Sequence, residues 1–166
     1  MNSEALDFLR RHSGLSLSVE GVFTFQGQVV PNARVQALFH EGLEVRADGD
    51  VTLTVGDQWA FVSCDGVARF VDSLGVSHGG LYASLKGRGR SRCDDPVLAY
   101  APDERFYLWT DATDIPAVLL RDAHQQLAGL LKDGGSGDLV LPLHQGELRV
   151  TTVSRAPGAH EGAGGL

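Results

Sequence analysis

Two cysteines in 166 residues, Cys64 and Cys93, are too few and too widely spaced for a disulfide framework or a zinc site. That shortage sets aside the small secreted scaffolds and the structural metal modules. No stretch approaches the about 18 consecutive apolar residues of a membrane span. The N-terminal segment MNSEALDFLRRHS carries acidic residues and only short apolar runs, so it lacks the pattern of a secretory signal. A cytoplasmic protein without membrane association is the expectation. Lysine is scarce as well, two against twelve arginines, a usage that suggests a GC-rich bacterial genome.

Net positive charge is also lacking. The formal charge of −7 repels phosphate on average, which excludes bulk nucleic-acid binding and coating of anionic membranes. Any anion site must therefore be local. Up to Ala83 there are 5 basic and 10 acidic residues, and beyond it 9 and 11, so the second part of the chain holds the denser basic cluster.

With 43% apolar and 21% charged residues the chain has the composition of a globular protein. At this length it can bury roughly two thirds of the surface its unfolded form exposes. Ser3, Glu4 and Asp7 favour a short first helix with Leu6 and Leu9 on one side, ending near Gly14. Leu15, Leu17 and Val19 alternate with serines ahead of Glu20-Gly21 and the apolar Val22, Phe23 and Phe25, which predicts a hairpin.

Pro31-Asn32 opens a second helix with Val35, Leu38 and Phe39 on one face and Gly42 as a C-terminal cap at positive φ. Strands at 43–47 and 50–55 around Asp48-Gly49, and another at 58–64, complete a first sheet.

The same grammar returns later. A strand at 105–109 precedes a long helix from Asp114-Ile115-Pro116 with Val118, Leu119, Ala123, Leu127, Leu130 and Leu131, stopped at Lys132-Asp133-Gly134. Alternating strands at 138–143 and 147–153 follow. Phe23-Thr24-Phe25 lies 84 residues before Tyr107-Leu108-Trp109, and Gly49-Asp50 lies 88 before Gly137-Asp138, a difference assigned to a longer second helix. The fold expected is α+β with two similar β-rich halves, each with a helix, divided as 1–75 and 76–153. The Gly/Ala-rich tail at 154–166 is expected to be disordered.

The order of these residues resembles the bacterial DUF1285 family. Its opening strand pair, I-D-x-x-G-x-W-F-H-x-G-x-P-I, is similar to the segment from Leu17 to Val30, with Gly21, Phe23, Phe25 and Gly27 in matching places. Its L-V-x-L-F helix end is similar to Arg34-Val35-Gln36-Ala37-Leu38-Phe39. The family's T-P-V-E is Thr54-Val55-Gly56-Asp57 here, which departs after the threonine. Ser63-Cys64-Asp65 echoes its V-x-D-x-P-F, and Phe106 to Leu120 echoes its later P-Y-V-x-V-R stretch. The resemblance implies a duplicated α+β fold whose second half is loosely pleckstrin-homology-like, and binding of a small or nucleotide-like ligand between the two halves in a signalling role.

Gly75-Val76-Ser77-His78-Gly79 matches the G-x-S-x-G string of serine hydrolases. That turn needs a helix after the serine, whereas Leu81 to Lys86 reads as a strand, so a hydrolase is the least favoured reading. The six histidines show no metal-ligand spacing, and Trp59 and Trp109 are assigned to core packing. Lys86, Arg88, Arg90 and Arg92 occupy alternate positions, so on a strand they share a face. They are the candidate ligand site, for an anionic or nucleotide-like small molecule, against the alternative of a solvated strand edge paired with Asp94-Asp95. No catalytic residue, metal or cofactor is assigned. The expectation is a non-enzymatic binding or signalling module, with a protein-interaction domain as the alternative.

Overall fold

The computed structural model describes residues 2–166. Helix α1 (Ser3–Arg11) is capped by Asn2, whose Oδ1 accepts the Ala5 N–H at 2.8 Å; Ser3 itself is already helical. Strands β1 (Leu15–Leu17), β2 (Phe23–Phe25) and β3 (Gln28–Val29) lead to α2 (Ala33–Gly42), then β4 (Leu43–Val45), β5 (Val51–Val55) and β6 (Gln58–Cys64). They form one sheet in the order β3-β2-β1-β6-β5-β4, antiparallel except where β1 runs parallel to β6. Asn32 caps α2 through the Arg34 and Val35 N–H groups. Gly42 does not take the positive φ expected of it. It is required because a Cβ there would stand 2.1 Å from the Thr54 carbonyl oxygen.

A meander of β7 (Arg69–Ser77), β8 (Gly80–Leu85) and β9 (Gly89–Arg92) follows. Next come β10 (Val97–Tyr100), β11 (Phe106–Trp109), β12 (Ala117–Leu119), α3 (Arg121–Leu130), β13 (Lys132–Asp133), β14 (Leu139–Leu143) and β15 (Gly146–Thr152). The second sheet runs β13-β14-β15-β10-β11-β12-β7-β8-β9. Position 75 falls inside β7, and the whole meander belongs to this sheet through the parallel pairing of β7 with β12.

The duplication is visible strand by strand. Read from its far edge, β4-β5-β6-β1-β2-β3 reproduces β13-β14-β15-β10-β11-β12, including the parallel pair at the centre, β10 on β15. Helices α2 and α3 are both ten residues long and 88 positions apart. The expected long helix from Asp114 is therefore shorter: Val118 and Leu119 lie on β12, buried in the sheet, and the extra residues sit before α3. An apolar run of three residues is ambiguous between strand and helix, and tertiary pairing decided it.

Two cores share the second sheet. Leu98, Phe106, Leu108, Leu127 and Leu141 pack beneath α3, while Ala99, Tyr107, Trp109 and Val118 meet Leu17, Phe23, Leu53 and Val62 of the first sheet. Because both faces of β11 are covered, its sequence FYLW is uniformly apolar rather than alternating. Trp109 is in the core, but Trp59 is not. Trp59 lies on the face that α1 covers, with Arg10 over its ring at 4.0 Å.

The tail also differs from expectation, because it is ordered. Glu161 O accepts the buried Trp109 indole N–H at 2.8 Å, Pro157 is buried, and Ala159 and Ala163 pack on the inter-sheet core. A Gly/Ala-rich segment shows no periodicity in sequence, yet it is held here by one indole donor and by the Glu161 carboxylate, which binds Arg155 and the Gly158 N–H.

His40 on α2 is the one buried histidine in the core between the sheets. Its Nε2 lies 2.7 Å from Gly21 O, and its ring meets Phe23 and Phe70 edge-on. Burial lowers its pKa, outweighing the hydrogen bond to Gly21. The unfolded chain therefore takes up a proton first as pH falls. The contribution of neutral His40 is complete above the ordinary imidazole value, about 6.5, and is lost as pH drops toward the depressed folded value. Urea unfolding at about pH 7.5 and about 5.5 should show wild type losing more stability than His40→Gln; equal losses would remove His40 as the cause.

Candidate functional site

The four cations singled out in the sequence are dispersed. Lys86 and Arg88 lie in the turn between β8 and β9, and only Arg90 and Arg92 share a strand. Lys86 pairs with Asp72 at 3.4 Å, and Arg88 Nη2 donates to Leu43 O at 2.6 Å, at the end of α2. Lost hydration, then the nearby charge of Arg69, lower the Arg88 pKa. Arg90 stacks over Tyr82 at 4.6 Å. Arg92 borders a cavity of about 230 Å³ that also presents Asp94, Asp95 and Glu147. No two of the four are brought onto one anion-sized point by these contacts.

Ser77 and Gly80 face each other across the β7–β8 turn, whose central residues His78 and Gly79 both have positive φ, 51° and 73°. The chain continues as strand β8, so this serine is in a hairpin turn of primed type and not at a strand-to-helix elbow.

A cleft of about 610 Å³ between the halves is roofed by the tail, with Cys64 and Val62 on one wall and Asp103 and Tyr107 on the other. The Tyr107 hydroxyl donates to Asp103 Oδ2 at 2.5 Å, and its pKa is raised by burial and by that carboxylate. Burial also raises the Cys64 thiol, and pushes Cys93 up to about 11. Both thiols stay protonated near neutrality, the opposite of an activated nucleophile. Among the described residues no group of three His, Cys, Asp or Glu is placed to hold a metal.

The distinctive feature lies under α3. A pocket of about 500 Å³ opens between that helix and strands β10, β11, β14 and β15, lined by Tyr100, Phe106, His124, Ala128, Leu131, Leu139, Val150 and Thr152. The Phe106 ring sits 4.9 Å from Tyr100 and 4.8 Å from His124, so three rings form a row. Strand pairing and helix offset give each of these positions a counterpart in the first half. Tyr100 corresponds to Leu17, Phe106 to Phe23, His124 to Gln36 and Ala128 to His40, so strand pairing moves the sequence match of Phe23 with Tyr107 by one residue, to Phe106.

Those counterparts are filled core. Gln36 accepts the Phe23 N–H and donates to Phe23 O and Val30 O, each at 2.9 Å, and His40 fills the space beside Phe23. In the second half the bulky His40 is replaced by Ala128 and the bonded amide by an imidazole. The cavity follows from those two exchanges. The sequence reading missed it, although the repeat offset of 88 already set Gln36 against His124 and His40 against Ala128.

The structure as a whole defines a duplicated α+β architecture with a ligand-sized pocket under the helix of its second half. Its fold is similar to that of a DUF1285 family protein from Silicibacter pomeroyi DSS-3, with a TM-score of 0.65 over 84% of this chain and 80% of that one, at 15% identity. A DUF1285 family protein from Shewanella baltica OS155 matches over 85% and 84% of the two chains, again at 15% identity, with a TM-score of 0.39. No protein-family model matches the chain, and no curated protein matches it. Among the described residues no helix is long and apolar enough to cross a membrane.

Proposed function

We propose that this protein is a non-enzymatic binding module of the cytoplasm, in a signalling role, that receives a small molecule with a flat apolar portion in the pocket under α3. One observation carries the reading: of two equivalent places in a duplicated fold, one is plugged by core side chains and the other is open. Concave, largely apolar sites of this kind are where small molecules ordinarily bind. The pocket's volume falls within the roughly 300–1,000 Å³ typical of small-molecule sites. Rings suit it better than phosphates, since its charged lining residue is Asp138, paired with Arg149 at 3.3 Å. An anionic or nucleotide-like ligand is thus expected to enter ring first. Free, partly or fully buried thiols at Cys64 and Cys93 support a reducing compartment.

The test is titration with the fluorescent arene anilinonaphthalene sulfonate. Wild type should bind it and gain thermal stability. Ala128→Trp, at an exposed helix position, should weaken binding by about tenfold or more while the protein stays folded. Ala128→His, which installs the plug used by the first half, should do the same to a smaller degree. Unchanged affinity in both variants would overturn the pocket reading and leave a protein-interaction domain as the better one.

A further inference from the structure

We infer that the ligand class of this pocket is an aromatic carboxylate, seated with its ring against Phe106 and its carboxylate on the hydrogen-bond donors of His124 and Tyr100; the inference rests on the pocket reading above. The physical argument begins with the exchange of Gln36 for His124. In the first half, the helix residue at this position spends all its hydrogen-bonding capacity on backbone atoms of β2 and the Val30 carbonyl. In the second half, His124 leans on the Phe106 ring at 4.8 Å instead, and among the described residues its ring has no hydrogen-bond partner. Tyr100 is half-buried and Thr152 exposed, so their hydroxyls are open to water and available to a guest.

An imidazole offers one N–H in either tautomer, and each hydroxyl offers one O–H, so three donors border one cavity. A carboxylate has two oxygens with about four lone-pair sites and accepts all three, whereas a purely apolar guest leaves them unpaired. Apart from Asp138 and Gly137, the rest of the lining is apolar or aromatic. Leu131, Leu139 and Val150 give a wall for a ring system, and the tilted row Tyr100–Phe106–His124 provides edge and face contacts with ring centres under 5 Å apart. The nearest competing charge, Asp138, is engaged by Arg149.

The experiment compares 2-naphthoate with 2-naphthamide, which keeps the shape and removes the charge. Competition against anilinonaphthalene sulfonate gives both affinities on wild type, His124→Gln and Tyr100→Phe. On wild type, naphthoate should bind about tenfold more tightly than the amide, equivalent to about 1.4 kcal/mol. His124→Gln places in the second half the residue that stands at the equivalent position of the first, so the fold is retained. It should abolish that preference by weakening naphthoate far more than naphthamide, which loses only the contact with the imidazole ring, and Tyr100→Phe should reduce it in part. Equal affinity of the two compounds for wild type, or an intact preference in His124→Gln, would overturn the assignment. If neither compound displaces the dye while Ala128→Trp still abolishes dye binding, the pocket reading stands and the aromatic carboxylate falls.

Discussion

Deleting residues 155–166 is expected to destabilise the protein by about 3 kcal/mol and to expose the buried tryptophan, even though the segment has the composition of a loose tail. The Trp109 indole is fully buried, and its N–H has Glu161 O as its acceptor. Leaving a buried donor unpaired costs about 1–3 kcal/mol by itself. The deletion also strips Pro157, Ala159 and Ala163 from the inter-sheet core, opening Val62 and Cys64 to water along the 610 Å³ cleft. Tryptophan emission should shift to the red, since Trp109 changes environment while Trp59 does not. A truncated chain with wild-type urea midpoint and emission maximum would show that the tail contributes nothing. Substitution of Glu161 alone should give only part of this effect, because it removes the carboxylate that holds Arg155 and the Gly158 N–H but keeps the backbone carbonyl that accepts from Trp109.

Gly42→Ala should be at least as damaging, at about 3 kcal/mol or more, although alanine is ordinarily the better helix residue. The last turn of α2 presses directly on β5. An added methyl group would stand 2.1 Å from Thr54 O and 3.1 Å from the Leu53 side chain, so helix and strand must separate. Gly56 is the natural control: its φ of +63° strains any other residue, but nothing lies within 4 Å of the added carbon. Gly56→Ala should cost only about 1 kcal/mol from backbone strain. Chemical denaturation of both variants ranks the two causes, and a Gly42→Ala no worse than Gly56→Ala would rule out close approach.

Much of the first half was legible because its signals are local. Asn32 after Pro31, the Asp48-Gly49 turn, and the alternation of Val51, Leu53 and Val55 each specify geometry within a few residues. The second half was read less well where a signal had two local meanings. Val118 and Leu119 fit a helix as well as a strand, and they became a strand because β7 and β11 offered edges to pair with. Gly42 was legible as important and misread as to cause, since spacing along a chain shows a helix end but not the strand that will lie against it.

The site followed the same division. Lys86, Arg88, Arg90 and Arg92 stand out in one dimension because charges are conspicuous in a letter string. In three dimensions, Asp72, Leu43 O and Tyr82 engage three of them, from neighbouring strands of the meander and from the end of α2. The pocket under α3 has no such flag. It is defined by what is missing beside Phe106, a histidine replaced by alanine, and a groove registers only against the neighbours that frame it.

By itself, then, the sequence determined the α+β class, the repeated strand and helix grammar, and the need for any anion contact to be local, since periodicity, turn chemistry and net charge are properties of neighbouring residues or of simple sums. The tertiary structure alone decided that the tail is a strap, that the meander after the first half extends the second sheet, and that one of two equivalent helix–sheet junctions is open. Each of those depends on which distant surfaces meet, and burial of apolar area and pairing of buried polar atoms are settled only when they do.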